Sequence, residues 1–243
     1  MKILKAFRLL VGIALLIIMA VFTFELAYTL LNPHMFYTAK SMAEMMIVIV
    51  PSGIIGFLLV NFSIKGREKQ ILFQKITLWV LMVFYGAILF AILFGSGIAP
   101  RARLSSMPDS FRFRVSTSNF IPFKTIASYI KGFFSNTVSG YIANNNLMGN
   151  LVLFMPMGIF LPALFKSSRL KHCLIVLIGL ILVEVLQLVT GCGVFDIDDI
   201  ILNFAGFFMV YCIMRAKFME KIKEKLCITA ARPGKPAACW RNG

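Results

Sequence analysis

Four carboxylates and four carboxamides fall inside a stretch of this chain that is otherwise apolar enough to lie in lipid. In order they are Asn146-x-x-x-Asn150, Glu184-x-x-Gln187 and Asp196-x-Asp198-Asp199-x-x-x-Asn203-x-x-Gly206. Placing such groups in hydrocarbon is costly, so they mark a partner, a water-filled cavity or a site. Glu184, Asp196, Asp198 and Asp199 are the candidate catalytic residues, since a carboxylate can serve as general base, metal ligand or hydrogen-bonding anchor. Asn146 and Asn150 stand one helical turn apart and share a face, as do Glu184 and Gln187. Two plainer roles compete. Asp198 or Asp199, near the start of a helix, would cap its free backbone N–H groups, and Glu184 would bond Asn150 or Asn203 to join two helices.

Several chemistries are excluded. There is no phosphate-binding glycine loop, no Ser-His-Asp order and no zinc signature. His34 and His172 fall on opposite expected sides of the membrane and cannot form one catalytic pair. The oxygen donors admit a hard divalent cation such as magnesium or calcium, although their spacing does not match a calcium loop. Cys173, Cys192, Cys212, Cys227 and Cys239 show no C-x-x-C spacing, and only Cys192 is expected outside, so they read as small buried hydrophobes without a disulfide. Within Phe154-x-Pro156-x-Gly158-x-x-x-Pro162 the two prolines free the carbonyls of Val152 and Gly158, for a ligand or for neighbouring helices.

The elements that must position these residues are membrane spans. Of the 243 residues 59% are hydrophobic, 24 are Phe and only 14% are charged, which places the chain in a bilayer. A span needs about 20 apolar residues, and six runs qualify: 9–31, 42–62, 76–98, 147–165, 172–190 and the shorter 200–214. The fold class is therefore all-α, a polytopic membrane bundle of about six spans with an outer-face segment between the third and fourth. Pro51, Gly53 and Gly56 predict bending or close packing in the second span. A polar, basic loop at 63–75 is expected to lie against headgroups. The net charge of +15 does not signal nucleic acid. Lys2, Lys5 and Arg8, then Lys65, Arg67, Lys69 and Lys75, then Lys166, Arg169 and Lys171, then the cluster following the sixth span all fall on one side if the spans alternate. That bias puts both termini in the cytoplasm. Six of the remaining cations crowd the outer segment. There Phe111-Arg112-Phe113-Arg114-Val115, if extended, turns Arg112 and Arg114 to one face for a phosphate or carboxylate, or for a lipid rim. Phe120-Ile121-Pro122-Phe123 is expected at the interface, followed by an amphipathic helix over about 125–134. The chain divides at this level into an N-terminal three-helix segment (1–98), a second domain (99–214) and a basic cytoplasmic tail (215–243), whose last residues read as disordered.

The ordered blocks over about residues 112–214 resemble the VanZ-like family of bacterial membrane proteins. Asn119-x-Ile121-Pro122-Phe123, Gly149-Asn150, Phe154-x-Pro156-x-Gly158, Glu184-x-x-Gln187 and the Asp196 to Gly206 turn fill the family's successive motifs. With this match Asn119 joins Arg112, Arg114, Asn146, Asn150, Gln187 and Asn203 as candidate ligand-binding residues. The resemblance implies a multi-pass protein of the bacterial plasma membrane linked to glycopeptide (teicoplanin-type) antibiotic resistance. It would act at the outer face on a cell-wall precursor, a lipid-linked glycan or the glycopeptide itself. An enzyme acting on a lipid-linked phosphate or glycan, and a structural or assembly subunit of an envelope complex, stand as alternatives.

Overall fold

The computed structural model describes residues 2–31, 39–95, 111–134, 140–216 and 218–219. Helices account for nearly all of them, and among the described residues the only strand-like pairing is an isolated parallel bridge between Asn119 and Asp196. The helices are α1 (Lys2–Leu31), α2 (Ala39–Ser63), α3 (Arg67–Phe90), α4 (Phe111–Thr117), α5 (Lys124–Phe134), α6 (Gly140–Leu153), α7 (Met157–Leu164), α8 (Arg169–Thr190) and α9 (Ile197–Arg215), and α3 continues into a π-helical turn at Ala91–Gly95. Five stretches are long and apolar enough to cross a membrane: Ile3–Leu26, Arg67–Phe94, Asn146–Leu164, Arg169–Thr190 and Ile197–Arg215. The second expected run lies in α2, where the apolar stretch Ile47–Ser63 is shorter. Leucine, isoleucine, valine and phenylalanine side chains are exposed along these helices, as lipid-facing surfaces require. The chain is a multi-pass membrane bundle.

Two compact units divide it, one within Met1–Ile92 and the other within Leu93–Ile222. In the first, α1 and α2 meet where Gly12 and Gly56 face each other; a Cβ at Gly56 would lie 3.0 Å from the Gly12 carbonyl oxygen. Close backbone approach of this kind drives association where lipid is as apolar as the helices. The α2 helix runs through Pro51. The expected basic loop is largely helical instead, for α3 begins at Arg67 behind Gly66 at φ +90°. Gln70 and Gln74 explain this: both are buried, and they donate to the Asn61 carbonyl and side-chain oxygen at 2.8 Å each.

In the second unit α9 packs on α5, α6, α7 and α8, with Phe207 and Tyr211 fully enclosed. The α6 and α7 helices share one span that breaks at Met155 and Pro156. There the Met155 N–H turns to the Val152 carbonyl at 3.1 Å, so the carbonyl freed by Pro156 is met locally. The Leu151 carbonyl is left facing α9, where a Cβ at Gly206 would collide with its oxygen. Gly158 likewise lies against the Phe207 carbonyl and the Tyr211 nitrogen. The α4 helix corrects the extended reading of 111–115. Hydroxyls fix it, with Ser116, Thr117 and Ser118 bonding the carbonyls of Phe113 and Arg114. The cysteine reading is corrected too: Cys173 and Cys192 are half-buried and Cys212 is exposed, all three free, because a thiol is apolar enough to face lipid. His34, Arg101, Arg103, Cys227, Cys239 and the tail from Glu220 onward lie outside the described residues.

Candidate functional site

The site is built where α8 ends and α9 begins. Gly191 takes the left-handed conformation (φ 75°) that closes α8, a position that favours glycine. Five residues later the Asp196 carboxylate accepts from the Asp198 N–H at 2.9 Å and so caps α9. The same carboxylate takes the Asn119 amide at 2.9 Å and the Thr125 hydroxyl at 2.7 Å. Backbone bonds reinforce the junction: the Asn119 N–H donates to the Phe195 carbonyl at 2.8 Å and the Ile197 N–H to the Asn119 carbonyl at 3.0 Å. The Phe195 N–H donates to the Ser118 hydroxyl at 3.1 Å.

Asp198 caps a helix, but not its own. One oxygen accepts from the Phe123 N–H at 2.5 Å, the other from the N–H groups of Thr125 at 2.7 Å and Ile126 at 3.1 Å. These are the unpaired donors of the first turn of α5, where a negative charge also complements the helix end. The chain reaches that geometry through a tight turn in which the Lys124 N–H returns to the Ile121 carbonyl at 3.3 Å. Phe123 has φ 65° in this turn, which costs a residue other than glycine about 1–2 kcal/mol. Its charge-assisted bond to Asp198 offsets that strain. Asp198 is 1% exposed, so its oxygens are enclosed as well as occupied.

Beside this clamp lies a second set with acceptor capacity to spare. Glu184, buried on α8, accepts from the Asp196 N–H at 3.0 Å. The expectation that it bonds Asn150 or Asn203 is therefore corrected, since the turn's backbone supplies a nearer donor. Asn150 donates instead to one oxygen of Asp199, and Asn203 donates to the Asp199 carbonyl at 2.7 Å. The Asn203 side-chain oxygen is enclosed without a partner.

Seven of the eleven sequence-predicted residues thus meet at one end of the α8 and α9 pair: Asn119, Asn150, Glu184, Asp196, Asp198, Asp199 and Asn203. The other four point elsewhere. Asn146 is exposed and donates to the Tyr129 hydroxyl at 2.9 Å, and Gln187 donates to the Leu93 carbonyl at 2.9 Å. Arg114 donates its Nε proton to the Leu188 carbonyl at 3.0 Å, and Arg112 is exposed. Sequence reasoning missed Thr125 and Ser118; the available signal was that a helix beginning just after Pro122 must find acceptors for its first N–H groups. It also missed a buried pair at the far end of the same two helices. There His172 Nδ1 lies 3.2 Å from the Tyr211 hydroxyl, which accepts from Arg215 at 3.0 Å. Among the described residues no group of three or more His, Cys, Asp or Glu side chains is arranged to hold a metal ion, and Asp198 in particular has given its oxygens to backbone donors.

A family model described as VanZ/LLP1 matches residues 79–219, more than half of the chain. The match takes in every residue of this cluster. No curated protein and no solved structure matches the chain.

Proposed function

The chain belongs to the VanZ/LLP1 family, and from that premise we propose that it binds an envelope ligand at the outer face and so modulates glycopeptide susceptibility. The ligand class is a cell-wall precursor, a lipid-linked glycan or a glycopeptide of the teicoplanin type. One observation carries the reading: the enclosed Asn203 oxygen has no donor, beside Glu184 and Asp199, each of which has one oxygen outside the bonds just described. A buried acceptor left unpaired costs about 1–3 kcal/mol, and a ligand bearing hydroxyl or amide donors would recover it. Glycans and peptides carry such donors, whereas a phosphate would meet only acceptors and negative charge.

The experiment is saturable binding of teicoplanin, and separately of a lipid-linked glycan, to protein in nanodiscs. Wild type should bind one of the two, and Asn203→Leu or Glu184→Gln should lose about tenfold for each 1.4 kcal/mol removed. Equal affinity in all three proteins would refute the assignment. The acidic turn faces outward in this reading, with both termini in the cytoplasm of a bacterial plasma membrane. In a background without native cysteines, an impermeant reagent should label Val194→Cys but not Phe218→Cys in intact cells, and the reverse would move the site to the inner face.

The saturation of Asp196 and Asp198 favours a second reading, a scaffold whose acids only assemble the fold. It predicts that Asp199→Asn at matched protein level keeps the full susceptibility phenotype. A catalytic role on a lipid-linked phosphate or glycan would fall to Glu184 or Asp199 and would show as turnover lost in both Glu184→Gln and Asp199→Asn.

A further inference from the structure

The segment 111–134 carries Arg112, Arg114, Lys124 and Lys131 and no Asp or Glu. It also exposes large apolar side chains: Phe113 (58%), Ile121 (62%), Phe123 (61%) and Phe134 (80%). In water such a surface would be an anomaly for a folded protein. Its height relative to the spans is fixed. Arg114 bonds the Leu188 carbonyl in the last turn of α8, and the first turn of α5 is bound to Asp198 in the first turn of α9. The α4 and α5 helices therefore lie level with the ends of two spans, where hydrocarbon gives way to headgroups.

We propose that this segment is an interfacial collar, seated in the headgroup layer and binding anionic phospholipid. Apolar rings enter the acyl boundary while Arg112 and Lys124, both exposed, stay among the phosphates, the disposition of helices that lie on a membrane. Phe123 serves this arrangement directly. Its left-handed backbone delivers the N–H inward to Asp198 and leaves the ring outside. The inference goes beyond ligand binding at the acidic cluster and does not depend on it.

Depth-dependent fluorescence quenching tests it. Ile121→Trp is introduced with Trp79→Phe and Trp240→Phe, and the full chain is reconstituted in phosphatidylcholine vesicles with or without phosphatidylglycerol. Phe134→Trp gives a second position should the first variant not fold. With phosphatidylglycerol present, lipids brominated near the headgroup should quench the probe more strongly than deeply brominated lipids or aqueous iodide. That shallow quenching should weaken without phosphatidylglycerol and in Arg112→Gln/Lys124→Gln. Quenching by iodide and not by bromolipid would put the segment in water and overturn the collar. Equal shallow quenching in both lipid mixtures would overturn the anionic partner. Protection from both quenchers would mean that protein, such as a second copy, covers the face, and would overturn the proposal as well.

Discussion

Asp198 and Asp199 are neighbours with the same functional group, and the fold treats them in opposite ways. Asp198 gives both oxygens to three backbone donors of a distant segment, while Asp199 receives one donor at its carboxylate, the Asn150 amide. The same contrast separates the two halves of the polar cluster. Around Asn119, Thr125, Asp196 and Asp198 each donor has met an acceptor. Around Asn150, Glu184, Asp199 and Asn203 acceptors outnumber donors, and one of them is sealed from solvent. An acid-rich stretch in a membrane protein is thus no single thing. Part of it is fastening, and only the remainder has valence left for a ligand.

The contrast is open to measurement. The largest effect is expected at Asp198→Ala, which orphans three partly buried N–H groups at up to about 1–3 kcal/mol each and should abolish accumulation in the membrane; normal levels would mean that water replaces the carboxylate. Asp198→Asn should also be unstable, because one amide oxygen cannot replace two carboxylate oxygens, and a wild-type melting temperature in detergent would contradict the clamp. Gly206→Val comes next, since a Cβ there would collide with the Leu151 carbonyl oxygen and overpacking costs about 1–3 kcal/mol. Thr125→Val should lose about 1 kcal/mol for one hydrogen bond, read from the same thermal transition. Smallest in stability is Asn203→Leu, expected within about 1 kcal/mol of wild type because it removes an unpaired buried acceptor along with a single bond. That variant should nonetheless lose ligand binding, and if it melts several degrees lower while binding normally, the two halves of the cluster have been assigned the wrong way round.

Local pattern made part of this legible. Long apolar runs could only be spans, and Gly191 followed by three acids could only be a turn entering a helix. The helix expected over 125–134 and the close approach at Gly56 follow from residue type alone. Phe111 to Val115 misled because five residues of alternating character fit a strand and a short helix equally; hydroxyls at 116–118 decided between them. The partner of Asp198 could not be read, since an acid in a first turn looks identical whether it caps its own helix or one 75 residues away. Spacing groups Gln187 and Asn146 with the site, but it fixes a helical face and not which neighbour that face meets.

That separation along the chain has a consequence for how the protein is made. The donors of Phe123, Thr125 and Ile126 leave the ribosome 72 to 75 residues ahead of the carboxylate that receives them. Until α9 has been inserted, the segment 111–134 has no Asp196 or Asp198 to hold it. A nascent chain that stops short of α9 therefore exposes a basic, aromatic segment with open helix donors. Insertion of α9 is itself the step that locks it down.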